Sequence, residues 1–87
     1  MSNVDKLLNN GFGDAIILFA NPSYEGALVG VSDDGRAIYD FNLMVKSLCE
    51  EDGIDEIEAI EFIEYNTIRS LPYQENPPII MYPLEEI

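Results

Sequence analysis

The chain contains no histidine, no tryptophan and a single cysteine, and only four of its 87 residues are lysine or arginine. Without histidine, the side chain most often used for general acid–base catalysis and the commonest metal ligand are both absent. Cys49 has no second cysteine with which to form an intramolecular disulfide, which is typical of a reducing compartment. We therefore expect a non-enzymatic protein with no catalytic residues, and we interpret Cys49 as a small core residue.

The scarcity of positive charge narrows the classes of partner. Seventeen acidic residues against four basic ones give a net charge of −13. Direct binding to nucleic acid or to an anionic membrane is disfavoured, because both need a basic patch. The apolar run AIILFA at 15–20 is too short to span a bilayer, and the N-terminal sequence lacks a basic region followed by an apolar run. We expect a cytoplasmic protein with a basic protein partner, no membrane contact and no cofactor.

The apolar content is sufficient for one folded domain over residues 1–87, since 47% of the residues are hydrophobic. A short N-terminal helix is indicated by SNVDKLLNNG, which Gly11 terminates. Strands are predicted at 15–20, 27–32 and 36–40, with a tight turn at Asp33-Asp34-Gly35, and a final edge strand at IIMY, 79–82, between two prolines.

Two helices are predicted between the third and the last strand. Asp40 can cap a helix over 41–51, and Asp55 followed by Glu58 forms a capping box for a helix over 55–66. Residues 67–78 contain three prolines and no clear periodicity, so we predict an irregular loop. The predicted fold is α+β: a three- to four-stranded antiparallel sheet with a helical hairpin on one face and a short N-terminal helix.

The most unusual segment is EEDGIDEIEAIEFIE at 50–64, where eight of fifteen residues are acidic and none is basic. On a helical wheel, one broad side carries Ile57, Ala59, Ile60, Phe62 and Ile63, whereas Glu58, Glu61, Glu64 and Tyr65 lie on the opposite side. Like charges three or four residues apart cost some helix stability. The candidate partner-binding residues are Glu50, Glu51, Asp52, Glu58, Glu61, Glu64 and Tyr65.

Four interpretations of this segment remain open, and one of them is contact with a basic protein unrelated to nucleic acid. An amphipathic helix with a solvated acidic face is the simplest of them. A functional alternative is phosphate mimicry, because the spacing of carboxylates on one helix face is comparable to that of successive phosphates on a DNA strand. The third is a calcium or magnesium site, which the segment's mismatch with the EF-hand spacing disfavours, so we expect no metal site.

The segments GVSDDGRAIYDFNLMV, EAIEFIEYNTIRSLPY and PPIIMYPL resemble a group of small acidic uncharacterised proteins of bacteriophages and prophages of Gram-positive bacteria. The resemblance extends from about Asp14 to Leu84. It implies expression in the cytoplasm of a bacterial host, among genes that include host-modulating factors, and it carries no assigned site residues.

In that setting, small acidic phage proteins include inhibitors that compete with DNA for the basic grooves of restriction enzymes and CRISPR effectors. By analogy, the resemblance implies a binding protein of the anti-restriction or anti-CRISPR type, acting as a DNA mimic on a host nucleic-acid-binding protein. The alternative is a small structural or assembly module, such as a homodimer that pairs through the edge strand IIMY and has no nucleic-acid-related partner.

Overall fold

The computed structural model describes residues 3–9, 11 and 24–84, and it has an α+β fold with a three-stranded sheet. In these residues, three α-helices and three strands are accompanied by 3₁₀ and π-helical segments. In chain order the elements are α1 (Asn3–Asn9), a 3₁₀ helix (Glu25–Ala27), β1 (Leu28–Val31), β2 (Ala37–Asp40), α2 (Phe41–Asp52), α3 (Glu56–Phe62), a π-helical turn (Ile63–Thr67), a second 3₁₀ helix (Ile68–Tyr73) and β3 (Ile79–Met81).

The N-terminal helix and the first two strands of the described sheet form where the sequence predicts them. Helix α1 is followed by Gly11, whose positive φ of 84° suits a helix C-terminus and whose N–H donates to the Leu8 carbonyl. Strands β1 and β2 pair antiparallel around the turn at Asp33-Asp34-Gly35. The Ser32 hydroxyl donates to Asp34 and accepts from the N–H of Arg36, which closes this turn. The predicted N-terminal helix and the hairpin at 27–40 are therefore confirmed.

Strand β2 leads directly into helix α2 at Asp40. The Asp40 carboxylate accepts a hydrogen bond of 3.2 Å from the N–H of Leu43, so the last residue of the strand caps the helix. Helix α2 ends at Gly53, which has a φ of 67° and donates its N–H to the Cys49 carbonyl. The predicted helix over 41–51 and its cap are confirmed.

The sheet is mixed, so the prediction of an antiparallel sheet is wrong for its second pair of strands. The strand order is β1-β2-β3, and β3 runs parallel to β2 with Ile38 opposite Ile79 and Asp40 opposite Met81. Parallel neighbours need a crossover connection. Residues 41–78 form this crossover, and they return the chain to the end of the sheet at which β2 begins.

Two other predictions concern this crossover. The irregular loop predicted at 67–78 is wrong over Ile68–Tyr73, which form a 3₁₀ helix even though Pro72 lies inside it. The predicted helix over 55–66 is α-helical only to Phe62 and then widens into the π-helical turn. Helices α2 and α3 contact each other, and three residues join them. The packing of this pair as a helical hairpin on one face of the sheet stays a prediction.

The predicted strand at 15–20 lies outside the described residues.

The hydrophobic core lies where α2, the hairpin and α3 meet. Helix α2 supplies Met44 and Leu48, the hairpin supplies Leu28 and Tyr39, and all four side chains are almost fully buried. The Phe41 ring packs edge-to-face on Tyr82, with the centroids 5.0 Å apart, so the start of α2 is fastened to the segment after β3. Cys49 is a free thiol that is half-buried and packed against the core.

Tyr24 joins the 3₁₀ helix to the π-helical turn. Its side chain is 3% exposed, and its hydroxyl lies 3.3 Å from the hydroxyl of Thr67, with which it forms a hydrogen bond. Burial raises the pKa of the Tyr24 hydroxyl; the bond to Thr67 opposes that shift, and the carboxylates of Asp52 and Glu51 add to it. The neutral phenol is therefore part of the folded structure.

Substitution of Tyr24 by Phe is expected to test this buried hydroxyl through the pH dependence of stability. The wild-type protein keeps the full contribution of Tyr24 below pH 10, the ordinary pKa of tyrosine. Above pH 10 it loses stability until the pH reaches the higher pKa of the folded state, because the unfolded phenol ionises first. Tyr24→Phe should cost about 1 kcal/mol at neutral pH and show a smaller alkaline loss.

The measurement is urea unfolding followed by far-UV circular dichroism between pH 7 and pH 11. Tyr73→Phe is the matched control, because Tyr73 is 90% exposed and should leave both the neutral stability and the alkaline slope unchanged. Equal alkaline slopes for wild type and Tyr24→Phe would contradict the assignment.

Candidate functional site

The acidic helix α3 begins at an N-cap that the sequence encodes. The Asp55 carboxylate accepts a hydrogen bond of 2.8 Å from the N–H of Glu58, as the capping-box pattern predicts. Glu56 and Glu58 occupy the first turn, where the helix dipole favours negative charge. Part of the acidity of this segment therefore stabilises the helix start.

Helix α3 and the π-helical turn attach to the core through a narrow stripe. Ala59 and Ile63 are fully buried, Thr67 is 7% exposed, and these three residues follow each other at intervals of four. Ile57 and Phe62, which were predicted to lie on the apolar side, are instead 70% and 38% exposed. The buried side of the helix is thus narrower than expected, and the surface facing solvent is correspondingly wider.

All seven candidate partner-binding residues are exposed to solvent. We call them the acidic face. Within the part of the chain that the structure describes, none of them forms an ion pair with a lysine or arginine. The acidic face comprises Glu50, Glu51 and Asp52 on the last turn of α2, Glu58 and Glu61 on α3, and Glu64 and Tyr65 on the π-helical turn.

The structure brings part of the acidic face together around one open depression. Its volume is about 590 Å³, and we call it the Tyr65 depression. Its lining residues are Glu61, Glu64, Tyr65, Asn66 and Arg69. Three of these were predicted as site residues. Glu58 lies one turn before them and outside the lining.

Arg69 is the residue that sequence reasoning missed. Its guanidinium lies 4.8 Å from the centre of the Tyr65 ring, which is a cation–π distance. Tyr65 and Arg69 are four residues apart, the spacing at which side chains meet on a helix. That signal was available in the sequence, but the prediction of an irregular loop after Asn66 concealed it.

The acidic residues at the end of α2 lie near Tyr24, which also contacts the π-helical turn. Glu51 and Asp52 are close enough to raise the pKa of the Tyr24 hydroxyl, whose hydrogen-bond partner Thr67 is the last residue of the π-helical turn. The end of α2 and the end of this turn therefore both lie near one buried side chain.

Two further observations concern metal binding and membrane-spanning helices. In residues 3–9 and 24–84, no group of three Asp, Glu or Cys side chains converges closely enough to hold a metal ion. None of the helices in these ranges combines the length and apolar character needed to cross a membrane.

Besides the Tyr65 depression, a groove of about 350 Å³ lies between α2 and α3. Its lining includes Val45, Cys49 and Ile60, together with the charged residues Lys46 and Glu56.

Comparisons of the chain with protein-family models, with curated proteins and with solved structures give no significant match. The resemblance to phage and prophage proteins therefore stays a prediction.

Replacement of the N-cap should show how much the acidic face depends on the start of α3. Asp55→Ala removes the acceptor for the Glu58 N–H, and we expect it to lower the free energy of unfolding by about 1 kcal/mol. Asp55→Asn keeps an acceptor at the same position and should retain most of that stability. Urea unfolding monitored by circular dichroism measures both, and equal destabilisation by the two substitutions would contradict the cap.

Proposed function

We propose that this protein is a non-enzymatic binding protein that engages a basic protein partner through the acidic face. The observation that carries the proposal is that seven exposed side chains, six of them carboxylates, lie on adjoining elements without an ion pair among the described residues. A surface that only kept the protein soluble would gain from interleaved lysines. Here the carboxylates of the acidic face have no such lysines, so a basic partner would supply the positive charge that they attract.

The sharper form of the proposal names the partner as a nucleic-acid-binding protein of a bacterial host. Glu58, Glu61 and Glu64 follow each other at intervals of three, so their carboxylates resemble a short row of phosphates. With a net charge of −13, the protein would be steered towards a basic groove and would occupy it in place of nucleic acid. The resemblance to phage and prophage proteins supports an inhibitor of the anti-restriction or anti-CRISPR type, acting in the bacterial cytoplasm.

Neutralising the glutamates of α3 and the π-helical turn tests the proposal. The variant E58Q/E61Q/E64Q removes three charges from the acidic face, and we expect it to lose the partner. Its stability should stay close to that of wild type, because relief of repulsion between like charges offsets the lost interaction of Glu58 with the helix dipole. The matched control is E25Q/D33N/E75Q, which removes three charges from exposed positions elsewhere. Both variants and wild type are used as tagged bait in a Gram-positive bacterial lysate.

The informative result is a basic protein retained by wild type and by the control, lost by E58Q/E61Q/E64Q, and released by salt and by added duplex DNA. Release by salt without release by DNA would support the acidic face and overturn phosphate mimicry. Equal retention by both charge variants would overturn the acidic face as the binding surface.

A structural or assembly module is the second candidate, and the position of β3 favours it. This strand lies at the edge of the described sheet, and Tyr82 and Leu84 beyond it are 51% and 87% exposed. Such an edge can pair with the same strand of a second copy. Size-exclusion chromatography with light scattering would then give a dimer whose mass does not change with salt, whereas a monomer would oppose this candidate.

A further inference from the structure

The Tyr65 depression combines negative charge with an exposed aromatic ring. Tyr65 is 69% exposed at the centre of the π-helical turn, and Glu61 and Glu64 lie beside it. An aromatic side chain held in water on a charged surface is typical of binding sites, where the ring is covered by the partner. Phosphate mimicry needs only a row of negative charges, so it does not explain why the Tyr65 ring is exposed beside them.

One occupant of the ring is visible in the structure. The guanidinium of Arg69 lies 4.8 Å from the centre of the Tyr65 ring, so this surface already attracts an arginine of its own chain. Both residues are exposed, and the contact closes no part of the core. Arg69 thus shows which chemical group the ring accepts, and it can be displaced without unfolding the helix.

We propose that the Tyr65 depression receives an arginine side chain of the basic partner. The partner's guanidinium stacks on Tyr65 in place of Arg69, and its N–H groups donate to the carboxylates of Glu61 and Glu64. This inference rests on the proposed function, because it specifies how the acidic face recognises its partner.

Arginine fits this arrangement better than lysine does. Its planar guanidinium can stack on a ring while its edge donates to carboxylates, whereas an ammonium is a compact and strongly hydrated charge. A nucleic acid is disfavoured as the occupant, because its phosphates would meet Glu61 and Glu64. The charge complementarity of the depression therefore selects a cationic, planar group.

The test compares two peptides of equal length and charge, octa-arginine and octa-lysine, each labelled with a fluorophore and titrated with the full-length protein at physiological ionic strength. Fluorescence anisotropy gives the ratio of the two affinities. We expect wild type to prefer octa-arginine, and we expect Tyr65→Leu to reduce that preference by about two- to five-fold. Tyr73→Leu is the control, because Tyr73 is also exposed, at 90% against 69% for Tyr65, but lies outside the depression.

A second pair of variants tests the role of Arg69. Arg69→Gln removes the side chain that occupies the ring, and Lys46→Gln removes the same charge from an exposed position on α2. Both should strengthen binding of either peptide through the more negative net charge. Only Arg69→Gln should increase the preference for octa-arginine, since it alone vacates the ring.

The outcomes separate this inference from the proposed function. If Tyr65→Leu keeps the wild-type preference, or if Arg69→Gln and Lys46→Gln behave alike, the arginine site is overturned even when E58Q/E61Q/E64Q binds both peptides weakly. If E58Q/E61Q/E64Q binds both peptides as tightly as E25Q/D33N/E75Q does, the acidic face itself is overturned. Circular dichroism of each variant confirms that the fold is retained.

Discussion

The attachment of α3 to the core by Ala59, Ile63 and Thr67 is the constraint on which the surface of this protein depends. These three side chains are the buried ones of the continuous helical segment from Glu56 to Tyr73, and the hydroxyl of Tyr24 fastens the last of them. This stripe of buried side chains is flanked by the partly buried Ile60 and Ile68, and most of the circumference of the segment lies in solvent. The acidic and aromatic residues between the stripe positions are therefore displayed outwards.

This display has an electrostatic cost that the core must offset. Glutamates three residues apart repel each other by a few tenths of a kcal/mol per pair, and a net charge of −13 opposes compaction of a small domain. The N-cap at Asp55 and the cation–π contact of Arg69 offset part of this repulsion. A surface of this kind is most easily understood if a partner compensates its charge, and Tyr65 gives that partner an apolar and planar contact as well.

Prediction succeeded where a structure depends on neighbouring residues. The caps at Asp40 and Asp55, the helix end at Gly53 and the turn at Asp33-Asp34-Gly35 each need only a side chain or a φ value within a few positions. It failed where the structure depends on distant contacts. The parallel direction of β3 is such a case. Ile57 and Phe62 are a different one. At about 100° per residue they lie roughly 110° to either side of the direction of Ala59, Ile60 and Ile63. The wheel itself therefore places them beside glutamates, and their assignment to the apolar side was wrong.

The charge, the absence of histidine chemistry, the extent of α2 and the identity of the acidic residues can all be read from the amino-acid sequence. Three features cannot: the parallel pairing of β3 with β2, the widening of the helix at Ile63 and the position of Arg69 over Tyr65. The reason is physical. Strand direction follows from where a 38-residue crossover at 41–78 ends, and the contact between Arg69 and Tyr65 needs the helix to continue past Asn66; neither is encoded by a local pattern of apolar residues.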